Sequence, residues 1–171
     1  GGTTSLYYEF IGVEDSVYIF GGGHIGEALV HHLNGLKFCP IVIDSREEIR
    51  SKFADCIPVY RDLASIKSEG GIKGQSYFVI ATHSHEIDFA ILKSLLNEGC
   101  DPKYIGVIAS KRKSELIFND IRKMPNHGDF INRISSPIGL NIGGNSAHEI
   151  AISIIAEMQA IKYDKKDLIW K

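Results

Sequence analysis

The sequence predicts a doubly wound, mostly parallel α/β sheet of Rossmann type with helices on both faces. Three observations predict it. From Val17 onward, short apolar runs alternate with amphipathic stretches, the succession that βαβ units produce. The first run, Val17 to Phe20, leads straight into Gly21-Gly22-Gly23-His24-Ile25-Gly26, a G-x-G-x-x-G between a strand and a helix. Asp44 closes the second run 18 residues after Gly26, where this fold places an acid that accepts hydrogen bonds from a ribose.

Taken in order, strands are expected at Val17 to Phe20, Pro40 to Asp44, Cys56 to Tyr60, Tyr77 to Ala81, Tyr104 to Ile108 and, the most polar of them, Asn132 to Ser135. Helices are expected near His24 to Gly35, Arg46 to Phe53, His85 to Gly99 and Lys111 to Lys123, with Ala90, Leu92, Leu95 and Leu96 illustrating their apolar period. Lys67 to Gln75 contains Gly70, Gly71 and Gly74 and reads as a connection. The last helix has the clearest start, because Ser146-Ala147-His148-Glu149 matches a capping box, and Ile150, Ile154, Met158 and Ile161 continue as one apolar stripe. Residues 1–15 read as an N-terminal extension, with Leu6, Tyr8 and Phe10 on one side of a possible edge strand over residues 3–10; residues 16–171 read as the Rossmann domain. Gly1 in place of an initiating Met points to a processed, tagged or excised piece.

Composition narrows the partners. With 171 residues, 44% apolar and 23% charged, the chain is long enough to bury a core without disulfides or a structural metal. A net charge of −2 gives no global attraction to nucleic acid or anionic lipid. No apolar run reaches the roughly 18 residues of a membrane span. Cys39, Cys56 and Cys100 contain no CxxC pair, so the expected setting is a reducing, cytoplasmic one.

The chemistry-bearing residues gather around the expected crevice at the carboxyl ends of strands one and four. Gly21 permits the tight turn, Gly23 leaves room for a phosphate, and Gly26 allows close packing of helix on strand. The helix start behind them favours an anion. Asp44 favours an unphosphorylated ribose and hence NAD, whereas Arg46 suits the 2′-phosphate of NADP or stacks on adenine. His24 in the first turn and Thr82-His83-Ser84-His85-Glu86 after the fourth strand bring three imidazoles to the crevice, with His83 or His85 as an acid or base, or a turn cap. His83 and His85 do not have a metal-ligand spacing, and no metal is assigned. Ser110-Lys111-Arg112-Lys113 after the fifth strand offers three cations to an anionic ligand. Gly143 and Gly144 lie in a second glycine-rich loop, which presents the capped helix as a second anion cradle; Glu149 is read as its cap. His31 and His32 read as surface residues, and His127 has no evident partner. Cys39 and Cys100 immediately precede strands two and five, at the end opposite the crevice, and Cys56 lies near a strand start.

These pieces resemble the Rossmann domain of the xanthine dehydrogenase accessory (XdhC) family. The resemblance is carried by Phe20-Gly-Gly-Gly-His-Ile-Gly26, Ile43-Asp-Ser-Arg46, Ala81-Thr-His-Ser-His-Glu-Ile-Asp88, Tyr104-Ile-Gly-Val-Ile-Ala-Ser-Lys-Arg-Lys113, Ser136-Pro-Ile-Gly-Leu-Asn-Ile-Gly143 and Glu149-Ile-Ala-Ile-Ser-Ile-Ile-Ala-Glu157. Gly1 to Ile11 resembles the end of the smaller region that usually precedes this domain. Two departures stand out: Asn141 where the family usually has Asp, and Ser146-Ala147-His148 where it often has Thr-Pro-Glu. The resemblance implies a protein that binds molybdenum cofactor in its molybdopterin form, supports its sulfuration, and delivers it to a xanthine dehydrogenase-type molybdenum hydroxylase. It also implies a homodimer, and a cysteine desulfurase as a sulfur-donating partner. Two other functions fit the residues: an NAD(P)-dependent oxidoreductase using His83 or His85, and a nucleotide-sensing module needing only the glycine turn and Asp44.

Overall fold

The computed structural model describes residues 14–53, 55, 57–68, 71–72, 75–165 and 167. Among them run the strands β1 (Asp15–Phe20), β2 (Phe38–Ile43), β3 (Val59–Tyr60), β4 (Tyr77–Ile80), β5 (Tyr104–Val107) and β6 (Ile134–Ser135). Every pairing is parallel, in the order β3-β2-β1-β4-β5-β6. The helices are α1 (His24–Leu33), α2 (Glu47–Arg50), α3 (Leu63–Ser68), α4 (His85–Asn97), α5 (Lys111–Arg122), α6 (Gly128–Ile131) and α7 (Ala147–Lys162). The expected doubly wound sheet is therefore the observed one. Cys56 and the edge strand expected at residues 3–10 lie outside the described residues.

Strand alternation divides the core in two. On β1, Val17 and Ile19 join Leu29 and Leu33 of α1 and Ala151, Ile154 and Met158 of α7 on one face. Tyr18 and Phe20 turn to the other face, against Leu92 and Leu95 of α4 and Ile117 and Ile121 of α5. A central parallel strand covered on both faces has no polar side, which is why β1 reads as a continuous apolar run. Each such side chain contributes roughly 1.5–3 kcal/mol by leaving water.

Several boundaries differ from expectation for physical reasons. Proline disfavours a central strand because it has no N–H for the ladder, yet Pro40 lies inside β2, opposite Val17 of β1. The amide two residues on, Val42 N–H, donates to Pro58 O on the β3 side, so Pro40 faces the same side below the point where the two-residue β3 begins. The shortness of β3 makes that proline tolerable. Helix α3 is an element the sequence pattern does not announce. Asp62 starts it by accepting hydrogen bonds from Ser65 N–H at 2.8 Å and Ser65 Oγ at 2.9 Å, an N-cap arrangement.

The far edge is held by a buried side chain. Glu157 of α7 is fully buried and accepts from Tyr104 Oη at 2.5 Å, Ser135 Oγ at 2.7 Å and Gly139 N–H at 2.7 Å. It joins β5, β6 and the loop before α7. Burial, with Glu157 beside it, pushes the Tyr104 phenol well above its ordinary range. No helix among the described residues is long and apolar enough to cross a membrane.

Candidate ligand-binding site

The turn from β1 into α1 stands at the carboxyl edge of the sheet, where β1 and β4 are neighbours and the chain reverses its direction of winding. Gly21 has a φ of +106°, and a Cβ there would stand 2.5 Å from the Ala81 carbonyl oxygen, so glycine closes this turn. Its N–H donates to Ile43 O at 2.9 Å, and Ala81 N–H donates to Phe20 O at 2.8 Å; three strand ends are tied together. A Cβ on Gly26 would meet Gly21 O at 2.3 Å, which is the close helix packing expected there. Gly23 differs from both, because no atom lies within 4 Å of where its Cβ would stand. It is the N-cap of α1 and supplies no side-chain acceptor to the first turn. The dipole of α1 thus ends on glycine backbone facing open space.

Two hollows flank this point, of about 840 Å³ and about 340 Å³, and both are lined by Gly23 and Ala81. The larger has apolar walls from Ile43, Leu63, Ala64, Ile87 and Ile91, with Asp44, Arg46, Arg61, Thr82 and His83 at polar positions. The smaller lies between the starts of α1 and α7, with His24, Ile25, Asn145, Ala147 and Ile150 around it.

Asp44 and Arg46 do line the larger hollow, but they bind each other. Asp44 Oδ1 accepts from Arg46 N–H at 3.0 Å and Arg46 Nε at 2.9 Å, while Oδ2 accepts from Gly22 N–H at 2.9 Å and the Arg46 guanidinium at 2.7 Å. Four donors occupy the four acceptor directions of a carboxylate. Burial alone would raise the Asp44 pKa; the Arg46 side-chain bonds, then the Arg46 and Gly22 amides, outweigh it and hold Asp44 at about 2. A ribose hydroxyl reaches this carboxylate only if the half-exposed Arg46 swings aside, and that same movement frees Arg46 for a phosphate or a base.

Other expected groupings do not form. His83 lines the larger hollow and His24 the smaller, whereas His85 turns toward α5, with Nε2 3.7 Å from Asp120 Oδ2. The three imidazoles do not meet over one crevice, because His85 opens α4 on the side facing α5. Ser110, Lys111, Arg112 and Lys113 line neither hollow. Ser110 caps α5 by accepting from Lys113 N–H at 3.3 Å. The Lys113 ammonium is 2.6 Å from Asp88 Oδ2, a fully buried carboxylate that also receives the Thr82 hydroxyl. A buried charge demands a partner, and that demand turns Lys113 inward. Lys111 and Arg112 remain exposed.

Gly143 and Gly144 also line neither hollow, and the helix they precede is already occupied. Glu149 Oε2 accepts from Asn145 N–H at 3.1 Å, Ser146 N–H at 2.9 Å and Ser146 Oγ at 2.7 Å, while Ser146 Oγ accepts from Glu149 N–H at 3.3 Å. The amide and hydroxyl bonds from Ser146, then the Asn145 amide, hold the Glu149 carboxyl below its ordinary range. Sequence reasoning passes over the outer face of α4, where Ile87, Ala90, Ile91 and Ser94 line the larger hollow. Their spacing of three, four and seven is a legible signal, eclipsed by the buried stripe of Leu92 and Leu95 beside it.

The sequence profile of the XdhC Rossmann domain matches residues 17–158, a span that includes the glycine turn, both hollows and Glu157. The chain belongs to the XdhC family. The XdhC domain is 28% identical over 168 residues to YqeB of Escherichia coli (strain K12), covering 95% of this chain and 30% of that protein. It is 26% identical over 161 residues to a probable xanthine dehydrogenase subunit of Bacillus subtilis (strain 168), covering 91% of this chain and 46% of that one. A crystal structure of a xanthine dehydrogenase from Bacillus halodurans superposes with a TM-score of 0.74 at 26% identity, covering 90% of this chain and 44% of that chain. The chain thus spans less than half the length of each of these relatives.

Proposed function

We propose that this XdhC domain serves a xanthine dehydrogenase-type molybdenum hydroxylase as an accessory, holding molybdenum cofactor in its molybdopterin form. The observation that carries this reading is the glycine N-cap of α1 between two hollows that share Gly23 and Ala81. A phosphate over Gly23 would receive backbone N–H groups and the positive end of the helix dipole. Because the phosphate ends the molybdopterin, the pterin would enter one of the two hollows, whereas a dinucleotide, with its phosphates in the middle, would extend into both. Open space at Gly23, where a Cβ would stand, supports the fit of such a group. The bound cofactor supplies the molybdenum and dithiolene chemistry; the residues of this chain bind, orient and shield it. Among the described residues, neither Cys39 nor Cys100 lines a hollow, which favours a sulfur donor on a separate partner such as a cysteine desulfurase. The family resemblance also supports a second copy of the chain as a partner.

The second reading is a nicotinamide dinucleotide as the ligand, favoured by the apolar walls of the larger hollow and by Arg46 at its rim. One experiment separates the two: calorimetric titration of the purified chain with anaerobically prepared molybdenum cofactor, NAD and NADP, repeated on Gly23→Val. The accessory reading expects tight binding of the molybdenum cofactor and weak binding of NAD and NADP. The Gly23→Val protein should keep its melting temperature within a few degrees, while its affinity falls at least about tenfold, or ~1.4 kcal/mol. Undiminished affinity in Gly23→Val removes the glycine cradle from the account. Selective NAD binding with no response to the pterin replaces the accessory reading with the dinucleotide one.

A further inference from the structure

Where the last turn of α1 lies against the first turn of α7, three imidazoles meet on the surface. His32 Nε2 and His148 Nδ1 are 3.0 Å apart, although 116 residues separate them in the chain. His31 completes the group: ring centroids are 5.0 Å apart for His31 and His32, 5.9 Å for His31 and His148, and 5.1 Å for His32 and His148. None of the three lines either hollow, so the cluster is separate from the candidate ligand site. Among the described residues no group of three or more ligand side chains already surrounds a single point.

We propose that His32 and His148 chelate a divalent transition-metal ion of the zinc, nickel or copper class across α1 and α7, with His31 available as a third ligand. Two imidazole nitrogens on one tetrahedral ion, each bonded at about 2.0–2.1 Å, stand about 3.3 Å apart. The observed 3.0 Å needs only a few tenths of an ångström of widening, within reach of small rotations at these surface side chains. In the metal-free pair, one ring donates its N–H to the lone pair of the other. The metal takes the place of that shared proton, which moves to the far nitrogen of its own ring, so both lone pairs face the ion and no net charge is lost.

Two further features favour such a cation. His31 and His32 occupy the last turn of α1, where the helix dipole attracts positive charge. Imidazole ligands select borderline ions over magnesium or calcium, which prefer oxygen. Ala147, adjacent to His148, lines the smaller hollow, so a bridging ion would fix one wall of that hollow against α1.

The test is calorimetry of the purified chain with zinc chloride, nickel chloride and magnesium chloride. His32→Ala, His148→Ala and the double variant are compared with His127→Ala, a histidine bonded to Met124 O at 2.8 Å in the α5–α6 loop. The expected result is one equivalent of zinc or nickel and no magnesium, with affinity lowered at least about tenfold by His32→Ala or His148→Ala, since even outer-shell changes cost that much at metal sites. His127→Ala should bind as the unmutated chain does. In the unmutated chain, nickel should broaden the imidazole proton resonances of His32 and His148 before those of His127, a readout that does not depend on any variant folding. Unchanged zinc affinity in the double variant, or nickel broadening that spares His32 and His148, overturns the proposal.

Discussion

Helices α1 and α7 both begin after glycine-rich loops, and in sequence both look ready to cradle anions. They end up chemically opposite. The first turn of α7 is closed by its own carboxylate, with Glu149 accepting from Asn145 and Ser146 while Ser146 caps the helix in return. The first turn of α1 has glycine at its cap and no side-chain acceptor there. Glu27, in that first turn, pairs with Lys52, and Asp44 beside it spends its oxygens on Gly22 and Arg46, which secures the turn but leaves the helix cap itself untouched. The contrast teaches that a glycine-rich approach does not make an anion site. What matters is whether the chain carries its own anion into the position, and one glutamate three residues beyond the cap decides it.

The largest effect that would break the comparison lies inside the α1 turn. Gly21→Ala places a side chain at a φ of +106° and a Cβ 2.5 Å from Ala81 O, and should lower unfolding free energy by about 3 kcal/mol. Gly23→Ala, two residues on, meets nothing and should change it by less than about 1 kcal/mol. Urea denaturation of both variants measures the difference, and equal losses would mean that the two glycines do not divide the work of turn and cradle.

A smaller effect would sharpen the contrast from the other side. Glu149→Ala should lower the melting temperature by a few degrees and open the start of α7 to external anions. Phosphate should then shift the Ser146 and Ala147 amide resonances in the variant and not in the unmutated chain. Silence in both proteins would detach the carboxylate from the explanation.

The smallest effect concerns Asp44 and pH. Its folded pKa of about 2 lies below the ordinary 3.8, so its contribution to stability is fully present above about pH 4 and is lost as pH falls through 2. Arg46→Met removes the principal bonds that depress it. With Arg46 46% exposed, solvent screening reduces the expected loss to about 1 kcal/mol at pH 5. That loss should shrink toward pH 2 in denaturation curves. A pH-independent difference would mean that Arg46 stabilises the turn by packing alone.

Much of this is legible in the sequence. The strands follow from alternating apolar runs, and the glycine turn of the doubly wound fold from Gly21, Gly23 and Gly26. The capping box at Ser146 is written in four consecutive residues. What is illegible depends on long-range competition. Spacing places Asp44 and Arg46 at the right strand end, but only three dimensions reveal that they satisfy each other. Lys111, Arg112 and Lys113 read as one cationic cluster until the buried Asp88 draws Lys113 away from the other two. Helix α3 is hidden because the Asp62 cap stands next to a glycine-rich connection that dominates the local pattern. His32 and His148 carry no mutual signal at all across 116 residues.

Glu157 gives the far edge of the sheet an unusual order of events. A two-residue edge strand such as β6 would ordinarily fray first, since few ladder bonds hold it. Here its serine, the loop behind it and the β5 tyrosine share one carboxylate on the longest described helix. Opening β6 therefore leaves a buried carboxyl group short of donors. The edge should consequently exchange its amide hydrogens in step with α7, so that the margin of the sheet inherits the lifetime of the helix that covers it.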